Sequence, residues 1–388
     1  MQTDRRRFIK QSLTSAAGLV TAGLPGATLG APFNLDRRPV MTKEWGRRKK
    51  SGPPLIRFSA IGLNHGHIYG HVETIMRGGG ELVSFYAKEA DLIAEFSKRF
   101  PQAKPARSER EILEDNSIHL VVSASIPVDR APLGIQVMRH GKDFITDKPG
   151  MVTLEQLTEV KQVQKETKRI YSILYSEPLE NRASIKAGDL IKEGAIGKVI
   201  QTVGIGPHRL MLKSRTAWFF DKKSYGGILC DIGSHQVEQF LFFSGSTKAE
   251  VVCSQTGNVN NPRYPGLEDF GDATLRGNGG TGYLRVDYFT PDGLKSWGDG
   301  RLTILGTEGY IELRKTIDIA GREGGDHLFL VDQKGTRYFD CSKEPLPFAE
   351  RFVQDILNRT QTAIPQEHCF LAAELSIMAQ QQAVKVGF

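Results

Sequence analysis

The sequence predicts an α/β protein whose N-terminal half is a doubly wound parallel sheet and whose C-terminal half is an α+β unit with a large, mostly antiparallel open sheet. Three observations predict it. Between Leu55 and Met151 short apolar runs alternate with longer amphipathic ones, and strands separated by helices pair in parallel through right-handed crossovers. After about Ser176 the texture changes to successive β-branched and aromatic runs with few helices between them, the pattern of antiparallel pairing. Finally, 388 residues with 39% hydrophobic and 24% charged side chains exceed one small core, so two domains are expected of a soluble globular chain.

The elements follow in order. LIRFSAIGL (55–63) is a strand, 67–77 a helix, ELVSFYA (81–87) a strand and 91–100 a helix. ILEDNSIHLVVSASI (112–126) is a short helical turn into a strand, 131–140 is helical, and DFITDKP (143–149) is a strand ending in a turn. A helix over 154–167 and the run RIYSILYS (169–176) complete the first half. One helix, 182–193, ends at Gly194. Strands are then expected at VIQTVGIG (199–206), AEVVCSQTG (249–257), ATLRG (273–277), TGYLRVDYF (281–289), RLTILG (301–306), GYIELR (309–314), HLFLVDQ (327–333) and TRYFD (336–340). Turn residues at 277–280 and 291–293 punctuate them. Helices over 347–359 and 366–386, divided by Pro365, close the chain.

The N-terminus reads as an address rather than as fold. Arg5-Arg6-Arg7-Phe8-Ile9-Lys10 precedes an uncharged Ala/Gly/Leu-rich stretch to about Ala31, the layout of an export signal. Gly23 and Pro25 interrupt this stretch, so a stable membrane anchor is not expected. The arginine pair followed by Phe-Ile-Lys is similar to a twin-arginine signal, which implies the twin-arginine machinery as a partner during transport and a periplasmic or otherwise exported protein. The expected organisation is therefore 1–31 signal, 32–53 basic linker, 54–175 first domain with the doubly wound sheet and 176–388 second domain with the large open sheet.

The formal charge of +7 sits at that end: residues 1–31 carry +3 and residues 32–50 carry +5, leaving −1 on the body. A nearly neutral body offers no electrostatic footprint for nucleic acid. The four cysteines, Cys230, Cys253, Cys341 and Cys369, form no CxxC pair and require no disulfide.

Three stretches carry candidate chemistry. In AIGLNHGHIYGH (60–71) a strand runs into a helix through Gly62, Asn64, His65, Gly66 and His67, where a diphosphate would meet the unpaired N–H groups of a helix start. A metal reading of His65, His67 and His71 needs ligands converging on one point and a carboxylate or further histidine to close the set. No sequence-local partner does so, and no metal is expected. Histidines donating to phosphate and histidines of merely structural use both remain open. Asp147-Lys148-Pro149 places an ammonium at the carboxyl end of a strand, where doubly wound sheets bind ligands. In GGILCDIGSHQVEQFLFFSG (226–245), Asp231 and His235 are spaced i, i+4, so on one helix they share a face, and a histidine near a carboxylate is a candidate general base. A capping Asp and a core His are the alternative.

Together the order and spacing of these stretches resemble the Gfo/Idh/MocA family over about residues 55–387. The resemblance runs through ELVSFYAKEADLIAEFSKRF, SIHLVVSASIPVDRAPLGIQVMRHGKDFITDKP, LIKEGAIGKVIQTVGIG, GGILCDIGSH and LTILGTEGYIEL. It implies an N-terminal Rossmann domain, a C-terminal domain whose open sheet packs in dimers or tetramers, a cleft between them, and NAD(P)-dependent oxidation of a sugar or polyol carbinol. It further implies that Lys148, Asp231 and His235 act at the reacting carbon: His235 takes the hydroxyl proton, Lys148 holds the hydroxyl, and Asp231 orients the substrate or His235. Gly62, Asn64, His65, Gly66, His67, Lys88, Ser125, Pro127, Asp147 and Lys148 are the implied cofactor contacts. His208, Arg209, Arg215, Trp218 and Tyr225 are the candidate sugar contacts.

The departures concern the cofactor. Asn64 and His67 stand where the family usually has glycines, Val128-Asp129-Arg130 replaces an Asn/His-His pair, and Tyr86-Ala87-Lys88 stands where an acidic residue commonly reads the ribose. Lys88 suits a 2′-phosphate, so NAD and NADP both remain open. An exported enzyme finds little free nicotinamide cofactor, which favours a tightly bound NAD or NADP and a redox cycle closed on the enzyme. Alternatives are a glycosidase of the same fold that oxidises, eliminates and returns the hydride, and a sugar-binding protein without catalysis.

Overall fold

A computed structural model describes residues 54–387; the expected signal at 1–31 and the basic linker at 32–53 lie outside the described residues. Six strands form the first sheet: β1 (Ile56–Ile61), β2 (Gly80–Tyr86), β3 (Lys104–Pro105), β4 (Leu120–Ser123), β5 (Asp143–Asp147) and β6 (Tyr171–Leu174). Their order is β3-β2-β1-β4-β5-β6 and every pairing is parallel. The order reverses between β1 and β4, which opens a crevice at their carboxyl ends.

Strands β1 and β4 to β6 are almost wholly buried because helices cover both faces of a parallel sheet, whereas the edge strand β3 is exposed. Helix His67–Arg77 buries Ile68, Val72 and Ile75, spaced at helical period, and helix Leu154–Thr167 buries Leu157, Val160 and Val163. Thr153 starts the latter by accepting the backbone N–H of Gln156. The helix expected at 131–140 begins earlier and spans Pro127–Arg139, because Pro127 opens the first turn, where its missing N–H costs nothing.

The second sheet comprises β7 (Val199–Pro207), β8 (Ala249–Gly257), β9 (Phe270–Gly277), β10 (Gly280–Asp287), β11 (Arg301–Gly306), β12 (Gly309–Arg314), β13 (His327–Asp332), β14 (Gly335–Asp340) and β15 (Val384–Lys385). It is mixed and mostly antiparallel, in the order β14-β13-β12-β11-β7-β10-β9-β8-β15, with β7–β10 and β8–β15 parallel. One face packs Leu302, Ile304, Ile311, Leu313, Leu328 and Leu330 against Ala183, Ala187 and Leu190 of helix Arg182–Lys192. The terminal helix ends at Gln382 rather than continuing to 386, because Val384 and Lys385 add to the edge of β8 instead. Among the described residues no helix is long and apolar enough to cross a membrane, and all four cysteines are free thiols.

Candidate active site

The loop after β1 is stitched to the loop after β4. Gly62 donates to the carbonyl of Tyr86 and accepts from Ala124, and the N–H of His65 donates to the Ala124 carbonyl at 2.9 Å. Gly62 has φ +78°, and a Cβ there would lie 2.5 Å from the Ser125 Cβ, so only glycine fits this crossing. Helix His67–Arg77 then starts from Gly66 with no side-chain cap and no acidic residue in its first turn. The positive end of its dipole suits an anion, so the loop fits a dinucleotide diphosphate despite lacking two of the usual glycines. Asn64 is turned to the rim, where its amide donates to Glu89 at 2.8 Å. Lys88 beside it is exposed.

At the end of β5, Asp147 is 1% exposed and gathers the three histidines. His65 Nδ1 lies 2.8 Å from its Oδ2, His67 Nδ1 3.0 Å from Oδ1, and His71 Nε2 3.6 Å from Oδ1. Burial alone would raise the Asp147 carboxyl, but His67, Arg130 and His65 hold it well below the carboxylate range. Burial lowers His65 to about 4 and His71 to about 3, so both rings are neutral near pH 7.

Arg130 locks this turn in place. Its buried guanidinium donates to the carbonyls of Ser125 (2.7 Å), Lys148 (2.6 Å) and Pro149 (3.0 Å) and reaches the Asp147 carboxylate at 3.3 Å. The Lys148–Pro149 peptide is cis. The sequence reading passed Arg130 over as a departure in the loop after β4. The available signal was an arginine followed by apolar residues in the first half of the 127–139 helix.

Lys148, 5% exposed, donates from Nζ to Asp231 Oδ1 at 2.6 Å. Asp231 ends a short helix, Ile228–Asp231, and helix Gly233–Ser244 follows. The entry is fixed by Gly227 at φ +95°, where any Cβ would strike the Gln380 side chain. Gln380 accepts the N–H of Leu229 at 2.9 Å and Glu268 accepts that of Ile228 at 3.1 Å. Burial would raise Asp231, but Lys148 keeps it below its usual value.

His235 is 4% exposed, and its Nδ1 has no hydrogen-bond partner among the described residues. Burial, reinforced by Lys148, lowers it to about 3 against the pull of Glu177, so its imidazole is neutral. Of the two expected roles of Asp231, orienting the substrate or His235, the structure shows the carboxylate turned to Lys148 rather than to His235. Two groups missed by the sequence reading brace the site. Tyr288 Oη lies 3.5 Å from Asp231 Oδ2, and Glu177 pairs with Lys315 while accepting from Gln236 (3.0 Å) and Gln239 (2.9 Å) on the His235 helix. No local motif marks either, because each partner is distant in sequence.

The expected sugar contacts divide. His208 holds Nδ1 against the carbonyl of Gly206 at 3.0 Å, and burial and then Lys148 lower it to about 4. Trp218 lies edge-on to His65 at 6.3 Å with its indole N–H unpartnered among the described residues, and Arg215 stacks 4.0 Å from the Phe219 ring. His208 and Arg215 thus lie beside Tyr288, which contacts Asp231, and Trp218 lies beside His65. Arg209 instead donates to the carbonyls of Pro291 and Leu294 in a neighbouring turn, and Tyr225 is fully buried with its hydroxyl accepting from Glu268 N–H at 3.0 Å. Both serve as braces of the fold.

Family models match both halves: an oxidoreductase family with an NAD-binding Rossmann fold over residues 56–175, and the GFO/IDH/MocA C-terminal domain over residues 185–312. A crystal structure of a protein from Erwinia carotovora atroseptica SCRI1043, assigned as an oxidoreductase, is 48% identical, with a TM-score of 0.83 over 85% of this chain and 99% of that one. Levoglucosan dehydrogenase of Pseudarthrobacter phenanthrenivorans is 26% identical over 51% of each chain. The NADP(+)-dependent scyllo-inositol 2-dehydrogenase IolW of Bacillus subtilis is 26% identical over 44% of this chain and 48% of its own. The chain thus spans about half the length of the curated relatives it matches. With both halves matched in order and a close structural relative covered almost end to end, the chain belongs to the Gfo/Idh/MocA family of NAD(P)-dependent oxidoreductases.

Proposed function

We propose that the protein is an exported oxidoreductase that acts, with tightly held NAD(P), on a carbinol carbon of a sugar, polyol or glycoside. The observation that carries this reading is the 2.6 Å contact between Lys148 and Asp231 beside the carboxyl end of β5, with a neutral His235 one helical turn further on. The relatives named for levoglucosan and scyllo-inositol support the substrate class.

The nicotinamide cofactor supplies the hydride acceptor. The chain's own residues do the rest. The loop from Gly62 to His67 is pinned by the Gly62 and His65 N–H groups, and the start of the helix at Gly66 and His67 would hold the diphosphate. His235, kept neutral by burial, takes the proton of the substrate hydroxyl. The Lys148 ammonium stabilises the negative charge that grows on that oxygen, and Asp231 fixes where the ammonium points. His208, Arg215 and Trp218 contact the sugar, and Lys88 favours a 2′-phosphate.

The Arg5-Arg6-Arg7-Phe8-Ile9-Lys10 stretch supports export of a folded, loaded protein, and a cofactor carried out of the cytoplasm has to be recycled on the enzyme. The outer face of the large sheet, with Val203, Leu305, Tyr310 and Tyr338 between 37% and 42% exposed, supports a homo-oligomer.

The test is to purify the exported full-length protein without added nucleotide, denature it and weigh what is released. Stoichiometric NAD(H) or NADP(H) is expected, and its identity reports on Lys88. Lys148→Ala and His235→Ala are each expected to lower kcat/KM on the sugar substrate by about 10²–10⁴-fold with the nucleotide retained. A protein that binds neither nucleotide would overturn the reading.

A further inference from the structure

We propose that His65, His67 and Asp147 form a binding site for a divalent transition-metal ion of the zinc class. One ring nitrogen from each of His65 and His67 and one Asp147 oxygen lie within 4.8 Å of one another, although the histidines and the aspartate are 80 or more residues apart in sequence. The topology makes this meeting. His65 and His67 leave the carboxyl end of β1, Asp147 ends β5, and β4 alone separates those two strands. The carboxylate that would close a histidine ligand set is absent from the local sequence and supplied by the fold.

Two imidazole nitrogens and one carboxylate oxygen are ligands that suit zinc, and three protein ligands with an open position are typical of zinc sites that bind a further ligand. Zinc–nitrogen bonds of about 2.0–2.1 Å set ligand atoms about 3.3 Å apart in a tetrahedron. His65 and His67 now hydrogen-bond to different Asp147 oxygens, Oδ2 at 2.8 Å and Oδ1 at 3.0 Å; one ion replaces both hydrogen bonds and draws ligand atoms now within 4.8 Å of one another to that spacing. The carboxylate is oriented as a ligand should be: Arg130 holds Oδ2 at 3.3 Å, the N–H of Lys148 holds Oδ1 at 2.9 Å, and the buried His71 backs Oδ1 at 3.6 Å. His67, with its side chain 46% exposed, leaves the ion an opening to solvent.

Charge names the ligand for the open position. A divalent ion with Arg130 and Lys148 outweighs Asp147 and Asp231 by two units, which matches the dianionic diphosphate of a dinucleotide. This extension rests on the oxidoreductase reading. Metal binding itself does not.

The experiment begins with metal-stripped, nucleotide-free full-length protein, titrated with Zn²⁺ by calorimetry and with Co²⁺ by visible absorption. One equivalent per chain is expected, with Co²⁺ giving the intense visible bands of a low-coordinate site. His67→Ala, whose side chain is half exposed, should keep the wild-type far-ultraviolet circular dichroism and weaken Zn²⁺ at least about tenfold. Asp147→Asn should weaken it likewise. No stoichiometric binding, or binding unchanged by His67→Ala, would overturn the site and leave hydrogen bonding to Asp147 as the histidines' whole role. Nucleotide affinity measured with and without Zn²⁺ then separates the two claims. Tighter binding with the metal supports the phosphate ligand, and an unchanged Kd overturns that extension alone. Metal binding without any nucleotide binding keeps the site and rejects the oxidoreductase reading.

Discussion

Arg130 and the buried histidines carry the clearest consequences of single residues. The Arg130 guanidinium is the sole side chain tying the carbonyls of Ser125, Lys148 and Pro149 to the Asp147 carboxylate among the described residues. Arg130→Met should cost about 3–5 kcal/mol of stability, since it strands a buried carboxylate and several carbonyls. Denaturant unfolding measures this; a loss under 1 kcal/mol would show that the turn holds itself. His71 and His235, both buried, are each lowered from 6.5 to about 3 by that burial. The unfolded chain therefore binds more protons between those values, so their contribution is full above pH 6.5 and is lost as pH falls towards 3. Each adds a slope of at most about 1.4 kcal/mol per pH unit. Thermal unfolding should come at lower temperature at pH 5 than at pH 7, and the difference should shrink in His71→Gln. Neither effect was legible in the sequence, because burial and the carbonyls around a side chain belong to its folded neighbours.

The decisive element is the junction of β1, the loop after it and helix His67–Arg77. An apolar strand, a glycine and an uncapped helix start were all readable from AIGLNHGHIYGH, and the structure keeps them in that order. The reason Gly62 admits no side chain was not readable, because the obstacle is Ser125 on the loop after β4. Gly62→Ala should destabilise the protein by about 1–3 kcal/mol through its positive φ and the collision with Ser125. It should also release the nucleotide, measured by mass after denaturation. Retention of nucleotide at wild-type stoichiometry would mean that the stitching of the two loops yields without moving the helix start. The Asp231–His235 stretch shows the converse limit: it is helical, yet Asp231 ends one helix and His235 lies on the next, and Asp231 turns to a lysine 83 residues away.

For the whole molecule, the two sheets differ in what covers them. Helices cover the parallel sheet on both faces, whereas the large sheet buries one face and leaves Val203, Leu305, Tyr310 and Tyr338 outward. If that face joins copies of the chain, light scattering should show an oligomer, and Val203→Glu with Leu305→Glu should yield a folded monomer. A monomeric wild type would remove the proposal. Sequence alone determined the alternation of strands and helices, the change of texture after Ser176, and the two stretches that carry Lys148, Asp231 and His235. These depend on local periodicity and short spacing, which the chain carries within each segment. Only the tertiary structure decided that Asp231 holds Lys148, that Arg130 and Glu177 brace the site, and that three histidines surround Asp147. Those pairs lie tens of residues apart in the chain, and they meet because parallel strands deliver their carboxyl ends to one edge, where the low dielectric of a buried site makes each charge seek a partner.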